Sequence, residues 1–297
     1  MIESAGMLNK RLIVGLGYEK CGTTSAHAVL ARSPLVSISA RKETFFFNRD
    51  HQKGLDYYLS LFDGKEDAKF MLDITPSYHK KRDTYKRINE VAPDSLIVLF
   101  IRDPIRRAFS LYWHDITHHH ASGQRAIGPN GELFQKPFRR TFLDVSRRYN
   151  NYFVNLSDSI FGIYRSFSRD RVLIVYFDEI NNGTFLPRLE ERLQQSLMMD
   201  RADVWRNKNV PIIYQLQMVD GEEHLVLHRG GKAISWPVQQ LGWRTVCQAL
   251  AASQYWSKFV SKADYDKIYD RLYRNMNFAK LGIDRDRLFE PGILSRV

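Results

Sequence analysis

The segment from Gly17 to Ser25 has the residue types and spacing of a loop that binds phosphate groups. It follows a short apolar run and precedes a segment with helical spacing, so free backbone N–H groups would lie at the start of a helix. These N–H groups and the helix dipole favour an anionic ligand. We predict that the contacts of this cradle come from Lys20, Cys21, Gly22, Thr23, Thr24 and Ser25.

The loop differs from the nucleotide-triphosphatase pattern G-x-x-x-x-G-K-[ST] in the position of its lysine. Thr23 stands where that pattern has lysine, and Lys20 lies inside the loop. A lysine there can contact the bridging oxygen of a phosphosulfate and neutralise its charge as that oxygen departs. Such a step requires no metal. For this segment alone, the alternative is an ordinary strand-to-helix turn with a solvated lysine.

A second candidate anion site follows the apolar run that ends at Ile101. Asp103 and Pro104 are typical of a helix start, as N-cap and first helical residue. Arg102 would therefore lie at the carboxyl end of a strand, where open α/β sheets bind ligands. Together with Ser110, about two turns into the helix, it can bind a second phosphate through charge-assisted hydrogen bonds.

The elements that position these residues follow from the hydrophobic pattern. Short apolar runs bounded by turn signals are typical of strands buried on both faces of a parallel sheet. Segments with helical spacing alternate with them, which predicts an α/β protein with a three-layer P-loop-type fold and a central, mostly parallel β-sheet flanked by helices. The strand-like runs are Leu12–Leu16, Phe70–Leu72, Leu96–Ile101 and Val172–Tyr176; the helical segments are Thr23–Ala31, Leu55–Phe62, Arg82–Val91 and Ile105–Thr117.

We predict a single domain over residues 1–297, since 44% hydrophobic residues suffice for a sizeable core. Its ligand-binding core would cover about residues 10–180, and residues from about 181 to 297 would be mainly helical. A polar, glycine-containing stretch from His118 to Arg140 is typical of a long surface loop. The predicted C-terminal helices are Phe185–Met198, Val238–Ser253 and Asp264–Asn275.

The charge and the cysteine content restrict the class of protein. A net charge of +11 attracts anions such as a nucleotide, an acidic glycan, a nucleic acid or a membrane surface. The sequence contains no recognised nucleic-acid-binding motif and no run of about 18 apolar residues, so we expect neither a nucleic-acid partner nor a membrane span. With only Cys21 and Cys247, and no signal-peptide pattern between Met1 and Lys10, we expect a cytoplasmic protein.

The two candidate anion sites resemble those of the sulfotransferase superfamily that uses 3'-phosphoadenosine 5'-phosphosulfate (PAPS). Its members have an early lysine-containing 5'-phosphosulfate loop and a later Arg-Asp-Pro and serine site for the 3'-phosphate. Other segments look like the heparan sulfate N- and O-sulfotransferase branch, and the resemblance covers roughly Arg11 to His114. These segments are Glu43–Asn48, His51–Tyr58, Asp73–Tyr78 and Ser110–His114; a later loop, Arg229–Lys232, is similar to the family's basic-glycine loop over the nucleotide and adds Gly231 and Lys232.

The resemblance implies transfer of a sulfuryl group from PAPS to a hydroxyl or amine of a glycan or small metabolite. The product would be 3'-phosphoadenosine 5'-phosphate (PAP), and no metal would take part. Lys20 would stabilise the leaving oxygen, Glu43 would act as the general base and His114 would assist. At Phe45, the O-sulfotransferases place a histidine, so either the acceptor pocket would be more apolar here or the proton would be transferred through His114 instead. The implied acceptor-side residues are Lys42, Asp73 and Tyr78, with Asp73 either structural or in contact with the acceptor.

Two other classes of function remain open at this point. The same fold can serve an ATP- and magnesium-dependent phosphotransferase. A non-catalytic protein that binds polyanions would also use the positive charge. A metal site is not predicted, because only His114 and His118 have helical ligand spacing and no third ligand lies near them.

Overall fold

The computed structural model describes residues 9–108, 110–111, 156–199, 213–229, 232–240 and 262–289. Five strands form a parallel sheet in the order β2-β3-β1-β4-β5. Their apolar side chains are almost all buried, as expected for a sheet covered on both faces. The strands are β1 (Arg11–Gly17), β2 (Val36–Ile38), β3 (Phe70–Ile74), β4 (Leu96–Ile101) and β5 (Val172–Tyr176).

Helices flank this sheet, which confirms the predicted α/β class with a central parallel sheet. They alternate with the strands along the chain as the apolar pattern predicts. Helix α3 matches its predicted bounds, whereas α6 is shorter than predicted because Gln194 adopts a left-handed conformation at its end. The helices are α1 (Thr23–Leu30), α2 (Leu55–Ser60), α3 (Arg82–Val91), α4 (Leu156–Ser166), α5 (Phe177–Asn182), α6 (Phe185–Leu193), α7 (Lys262–Leu272) and α8 (Arg285–Leu288).

Strand β1 lies at the switch point of the sheet. The chain continues from β1 to β2 and β3 on one side, and to β4 and β5 on the other. Open α/β sheets bind ligands outside the carboxyl ends of their strands at such a point. Gly17, at the end of β1, pairs with Phe100 near the end of β4. The loop after β1 and the residue after β4 therefore lie at the ligand-binding edge.

The chain divides into two compact units. The first comprises residues 1–102, 155–208 and 277–289 and contains the parallel sheet. The second comprises residues 103–154, 209–276 and 290–297, and includes α7. The prediction of a single domain over residues 1–297 stays a prediction.

The second unit contains a three-stranded antiparallel sheet, in the order β6-β7-β8. These strands are β6 (Ile213–Val219), β7 (Glu222–Arg229) and β8 (Lys232–Pro237). The sequence analysis predicted a mainly helical chain after Tyr176 and did not include these strands. The missed signal is Asp220-Gly221, a dipeptide typical of tight hairpins, between segments of alternating polarity. Both residues have positive φ, 50° and 84°, as a two-residue hairpin turn of this type requires.

Candidate functional site

The predicted phosphate loop connects β1 to α1, as the sequence indicates. Gly22 precedes the helix with φ = 83°, and a Cβ there would lie 2.9 Å from Cδ1 of Ile180. At Gly17, a Cβ would lie 2.5 Å from the carbonyl oxygen of Phe100. Both positions therefore require glycine. Lys20 also has a positive φ, 71°, which is unusual for a residue with a side chain and places it in a tight turn of the loop.

The N-terminus of α1 has the features of an anion-binding site. Its first turn contains no acidic side chain, and no described side chain caps it. The backbone N–H groups of this turn and the helix dipole can therefore bind a phosphate. Thr24 and Ser25 are exposed, while the side chains of Cys21 and Thr23 are buried. Any contact of Cys21 with a ligand would consequently come from its backbone.

Arg102 lies directly beside this loop. Its Nη1 donates a hydrogen bond to the carbonyl oxygen of Lys20 at 3.2 Å. Its guanidinium carbon lies 4.0 Å from the centroid of the Phe177 ring, which is a close cation–π contact. The structure thus brings together two of the predicted anion-binding residues, although 82 positions separate them in the sequence.

Helix α5 supports the loop and was not singled out by the sequence analysis. The ring of Phe177 and the side chain of Ile180 border the position of Gly22. Glu179, which is buried, accepts a hydrogen bond from the Tyr176 backbone at 2.8 Å and pairs with Arg188 at 2.6 Å and Arg287 at 3.0 Å. The sequence did contain a signal for this role. The predicted strand ends at Tyr176, so the segment that follows begins at the same edge of the sheet as the phosphate loop.

Residues after β3 contact the phosphate loop from another side. Lys80 forms an ion pair with Glu19, and the His79 ring packs edge-on against Tyr18 with centroids 4.6 Å apart. Burial acts to raise the pKa of Glu19. The hydrogen bond and the positive charge of Lys80 oppose it, and the resulting pKa is lowered. Lys80 therefore stabilises the charged form of a loop glutamate.

Glu43, the predicted general base, forms an ion pair with Lys42, with 2.7 Å between Oε1 and Nζ. Their side chains are 33% and 25% exposed, so both are accessible to a ligand. The pKa of His27 on α1 is lowered, first by burial and then by the charge of Lys42. The Lys42–Glu43 pair therefore lies near the helix that begins at the phosphate loop.

Asp73 and Tyr78, two of the predicted acceptor-side residues, are buried. The Asp73 carboxylate is fully buried and accepts hydrogen bonds from Thr44, Thr75, Tyr58 and Tyr78 at 2.7, 2.8, 3.2 and 2.8 Å. Burial raises its pKa, although these hydrogen bonds act to lower it. Both residues are enclosed and organise the chain around Glu43, which agrees with the structural alternative for Asp73. Contact of either residue with an acceptor stays a prediction.

Phe45, where the O-sulfotransferases place a histidine, has a left-handed backbone with φ = 55°. The guanidinium carbons of Arg41 and Arg49 lie 5.0 and 4.6 Å from the centroid of its half-buried ring. Two residues after Glu43, the side chain is therefore an aromatic ring with two positive charges close to it. This surface is both apolar and cationic, whereas the sequence predicted only its apolar character.

The second unit contains the start of the helix after Arg102. Asp103 caps this helix as predicted, because its Oδ1 accepts hydrogen bonds from the backbone of Ile105 and Arg106 at 2.8 and 3.1 Å. Its Oδ2 accepts a hydrogen bond from Tyr265 on α7 at 2.7 Å. Ser110 lies in this helix and is half-buried. These contacts fix the first turn of the helix.

Three of the predicted site residues lie outside, or at the boundary of, the described part of the chain. His114 and Gly231 lie outside the described residues, and Lys232 begins β8, where it is in register with Arg229 of β7. In the described part of the chain, no group of three His, Cys, Asp or Glu residues has the arrangement of a metal site. None of the helices described there has the length and apolar content needed to cross a bilayer.

The sequence is similar to those of known sulfotransferases. The sequence is 35% identical over 101 residues to human heparan sulfate glucosamine 3-O-sulfotransferase 6, covering 34% of this chain and 29% of that protein. It is 30% identical over 124 residues to the human bifunctional heparan sulfate N-deacetylase/N-sulfotransferase 3, covering 39% of this chain and 14% of that protein. These relatives confirm the predicted resemblance to sulfotransferases and to their heparan sulfate branch.

The chain spans less than a third of the length of these two relatives. No family model matches the sequence. Among solved structures, a sulfotransferase from Alicyclobacillus acidocaldarius aligns over 67% of this chain and 89% of its own, with 20% identity and a TM-score of 0.49.

Proposed function

We propose that this protein transfers a sulfuryl group from PAPS to a hydroxyl or amine of an acceptor and releases PAP. The contact between Arg102 and the carbonyl of Lys20 carries this proposal. The proposal assigns one phosphate to Arg102 and the other to the loop beside it, at the switch point of the sheet. A ligand with two separate anionic groups fits such a site.

The residues of the first unit fit the donor. The N-terminus of α1 would bind the 5'-phosphate through its backbone N–H groups, and Arg102 would bind the 3'-phosphate through charge-assisted hydrogen bonds. Gly17 and Gly22 lie where a side chain would collide with the supporting strand and helix. Lys20 would stabilise the negative charge that develops on the leaving phosphate oxygen.

Glu43 would accept the proton of the attacking hydroxyl or amine. The side chain is partly exposed, so an acceptor can approach it, and the Lys42 ammonium lies 2.7 Å away. General-base catalysis of this type contributes roughly 10²- to 10⁴-fold to the rate. The relatives are named for action on heparan sulfate. For this chain we propose the broader class of glycans and small metabolites, since Phe45 makes the surface beside Glu43 different.

Calorimetric titration with PAP, and separately with ATP and magnesium, tests the donor site. We expect PAP to bind without metal and Arg102→Ala to weaken this binding by at least tenfold. Arg165→Ala is a suitable control, because Arg165 lies in the last turn of α4. A preference for ATP with magnesium would contradict the proposal and favour a phosphotransferase.

Turnover is tested with radiolabelled PAPS and a panel of acceptors that includes desulfated heparan sulfate and p-nitrophenol. We expect Glu43→Ala to reduce kcat by roughly 10²-fold or more, as for a removed general base, with little change in PAP affinity. Glu90→Ala is the matched control, because Glu90 forms a more exposed ion pair on α3, with Lys86. An unchanged rate in Glu43→Ala would show that another group accepts the proton.

A further inference from the structure

We propose that Thr44 is a positioning residue, which fixes the general base Glu43 by anchoring its neighbouring backbone to the buried carboxylate of Asp73. The inference rests on the proposed function of Glu43. It assigns to Thr44 a role that residue type alone does not suggest, because a threonine in a loop is usually solvated. Here its side chain is almost completely buried.

The anchor begins at Asp73 in β3. This strand lies next to β1, and Asp73 is in register with Val14. The Asp73 carboxylate accepts a hydrogen bond from Thr75 on one oxygen, and bonds from Thr44, Tyr58 and Tyr78 on the other. A carboxylate held by a central strand and by several donors is a rigid point of attachment.

Thr44 and Tyr78 connect this point to the backbone that follows Glu43. The hydroxyl of Thr44 donates to Asp73 at 2.7 Å and accepts a hydrogen bond from the Phe46 N–H at 3.2 Å. The hydroxyl of Tyr78 donates to Asp73 at 2.8 Å and accepts from the Phe47 N–H at 3.3 Å. Two successive amides are thus bound to one buried carboxylate through two hydroxyl groups.

Aromatic packing also holds the two residues that follow Phe45 in the sequence. The Phe46 ring stacks on Tyr58 with centroids 4.4 Å apart, and Phe47 packs edge-on against Tyr78 at 5.5 Å. Glu43 itself is partly exposed and pairs with the flexible side chain of Lys42. Its position therefore depends on the residue that follows it, Thr44, which is the nearest residue bound to the core.

The consequence for catalysis follows from geometry. A general base must lie within hydrogen-bond reach of the proton that it accepts, and a displacement of about 1 Å can reduce the rate by roughly 10²-fold. Water cannot easily replace the lost hydroxyl, since Thr44 and Asp73 are both buried. Loss of the Thr44 hydroxyl should therefore affect the chemical step more than donor binding, whose groups lie on other segments.

The test compares Thr44→Val, which removes the hydroxyl while keeping the shape, with Thr44→Ser, which keeps the hydroxyl. Thr84→Val is the matched control, because Thr84 on α3 is equally buried and its hydroxyl has no hydrogen-bond partner among the described residues. For each variant we would measure thermal stability, PAP affinity, kcat and KM for PAPS with an acceptor identified from the panel, and amide hydrogen exchange over residues 43–50.

We expect Thr44→Val to reduce kcat at least tenfold and to accelerate amide exchange over residues 43–50. Its PAP affinity and its KM for PAPS should remain within about twofold of the parent values. Thr44→Ser should recover most of the rate, and Thr84→Val should leave kcat unchanged. A parent-like kcat and a parent-like exchange pattern in Thr44→Val would overturn the proposal, as would an equal loss of kcat in Thr84→Val.

The outcome is separable from that of the proposed function. If the parent protein binds no PAP and transfers no sulfuryl group, the proposed function fails, while the exchange data still decide whether Thr44 anchors this segment. If Thr44→Val does not fold, Thr44→Ala, which also removes the hydroxyl, replaces it with the same expectations. A parent-like kcat in that variant would again overturn the proposal.

Discussion

The guanidinium of Arg102 lies 4.0 Å from the centroid of the Phe177 ring, so an aromatic side chain from the start of α5 orients an arginine at the end of β4. These residues belong to neighbouring strands and the segments that follow them, and both border the phosphate loop. The ring restricts the rotamers of a long side chain, which lowers the entropy lost when the arginine binds a phosphate.

Phe177→Leu should therefore weaken PAP binding. A cation–π contact contributes about 0.5 to 2 kcal/mol, so we expect the dissociation constant to rise about two- to thirtyfold. Calorimetry with PAP measures this change. Phe161→Leu is the control, because its ring contacts the ammonium of Lys280 at 5.6 Å. Equal affinities in both variants would show that Phe177 does not orient Arg102.

Gly22→Ala should destabilise the protein more than Gly54→Ala. Both glycines have a positive φ, 83° and 85°, but ψ is 10° at Gly22 and 167° at Gly54, so an alanine meets backbone strain at both positions. Only at Gly22 would the new Cβ meet other atoms, those of Ile180 and Phe177. We expect backbone strain to cost about 1 to 3 kcal/mol in either variant, and the contacts of the new Cβ to cost about 1 to 3 kcal/mol more in Gly22→Ala.

Denaturant unfolding of both glycine variants provides the free energies. PAP affinity should fall in Gly22→Ala and remain unchanged in Gly54→Ala, since only Gly22 lies in the phosphate loop. If the two variants had equal free energies of unfolding, a shift of α5 would relieve the contacts of the new Cβ at Gly22 without cost.

Lys20→Ala should reduce kcat by roughly 10²-fold or more, because the developing charge on the leaving oxygen loses its counter-charge. Turnover of PAPS at saturating acceptor is the measurement. Lys86→Ala, which removes an exposed lysine from α3, should retain the parent rate. If Lys20→Ala instead changed only KM, Lys20 would contribute to ground-state binding and not to the transition state.

The ion pair between Glu19 and Lys80 predicts a pH-dependent stability. The folded-state pKa of Glu19 is lowered from its ordinary value of 4.5, so the charged form stabilises the folded state above that pH. This contribution should be lost as the pH falls through the folded-state pKa. The difference in Tm between the parent and Lys80→Met should therefore be present at pH 7 and should shrink below about pH 4.5.

The control for this comparison is the double variant Glu19→Gln, Lys80→Met. Adding Lys80→Met to Glu19→Gln should shift the Tm by an amount that does not vary between pH 3 and pH 7. If the difference in Tm between the parent and Lys80→Met stayed constant from pH 3 to pH 7, the role assigned to Glu19 would be contradicted.

Local residue patterns were sufficient to predict the parallel sheet and the phosphate loop. The apolar runs that became β1, β3, β4 and β5 are buried on both faces, and such runs differ from exposed segments by composition alone. The cap at Asp103 was likewise predictable, because its hydrogen bonds join residues close in the sequence. The hairpin at Asp220 and Gly221 was equally local, but its alternating polarity was overlooked.

The contacts that join distant segments could not be predicted from the sequence. The roles of Phe177 and Glu179 depend on β5 lying beside β4, and that neighbour relationship results from the packing of the whole sheet. The sequence left open whether Asp73 is structural or contacts an acceptor, because a carboxylate at the end of an apolar run can face either solvent or the core.

The sequence by itself determined the order of the strands along the chain, the loop after β1 and the residue types available for anion binding and proton transfer, since each depends on neighbouring residues. Only the tertiary structure decided that Arg102 lies against the carbonyl of Lys20, and that Asp73 and Tyr78 are enclosed around Thr44. The physical reason is that burial and hydrogen-bond partners depend on which distant segments pack together, which local spacing does not specify.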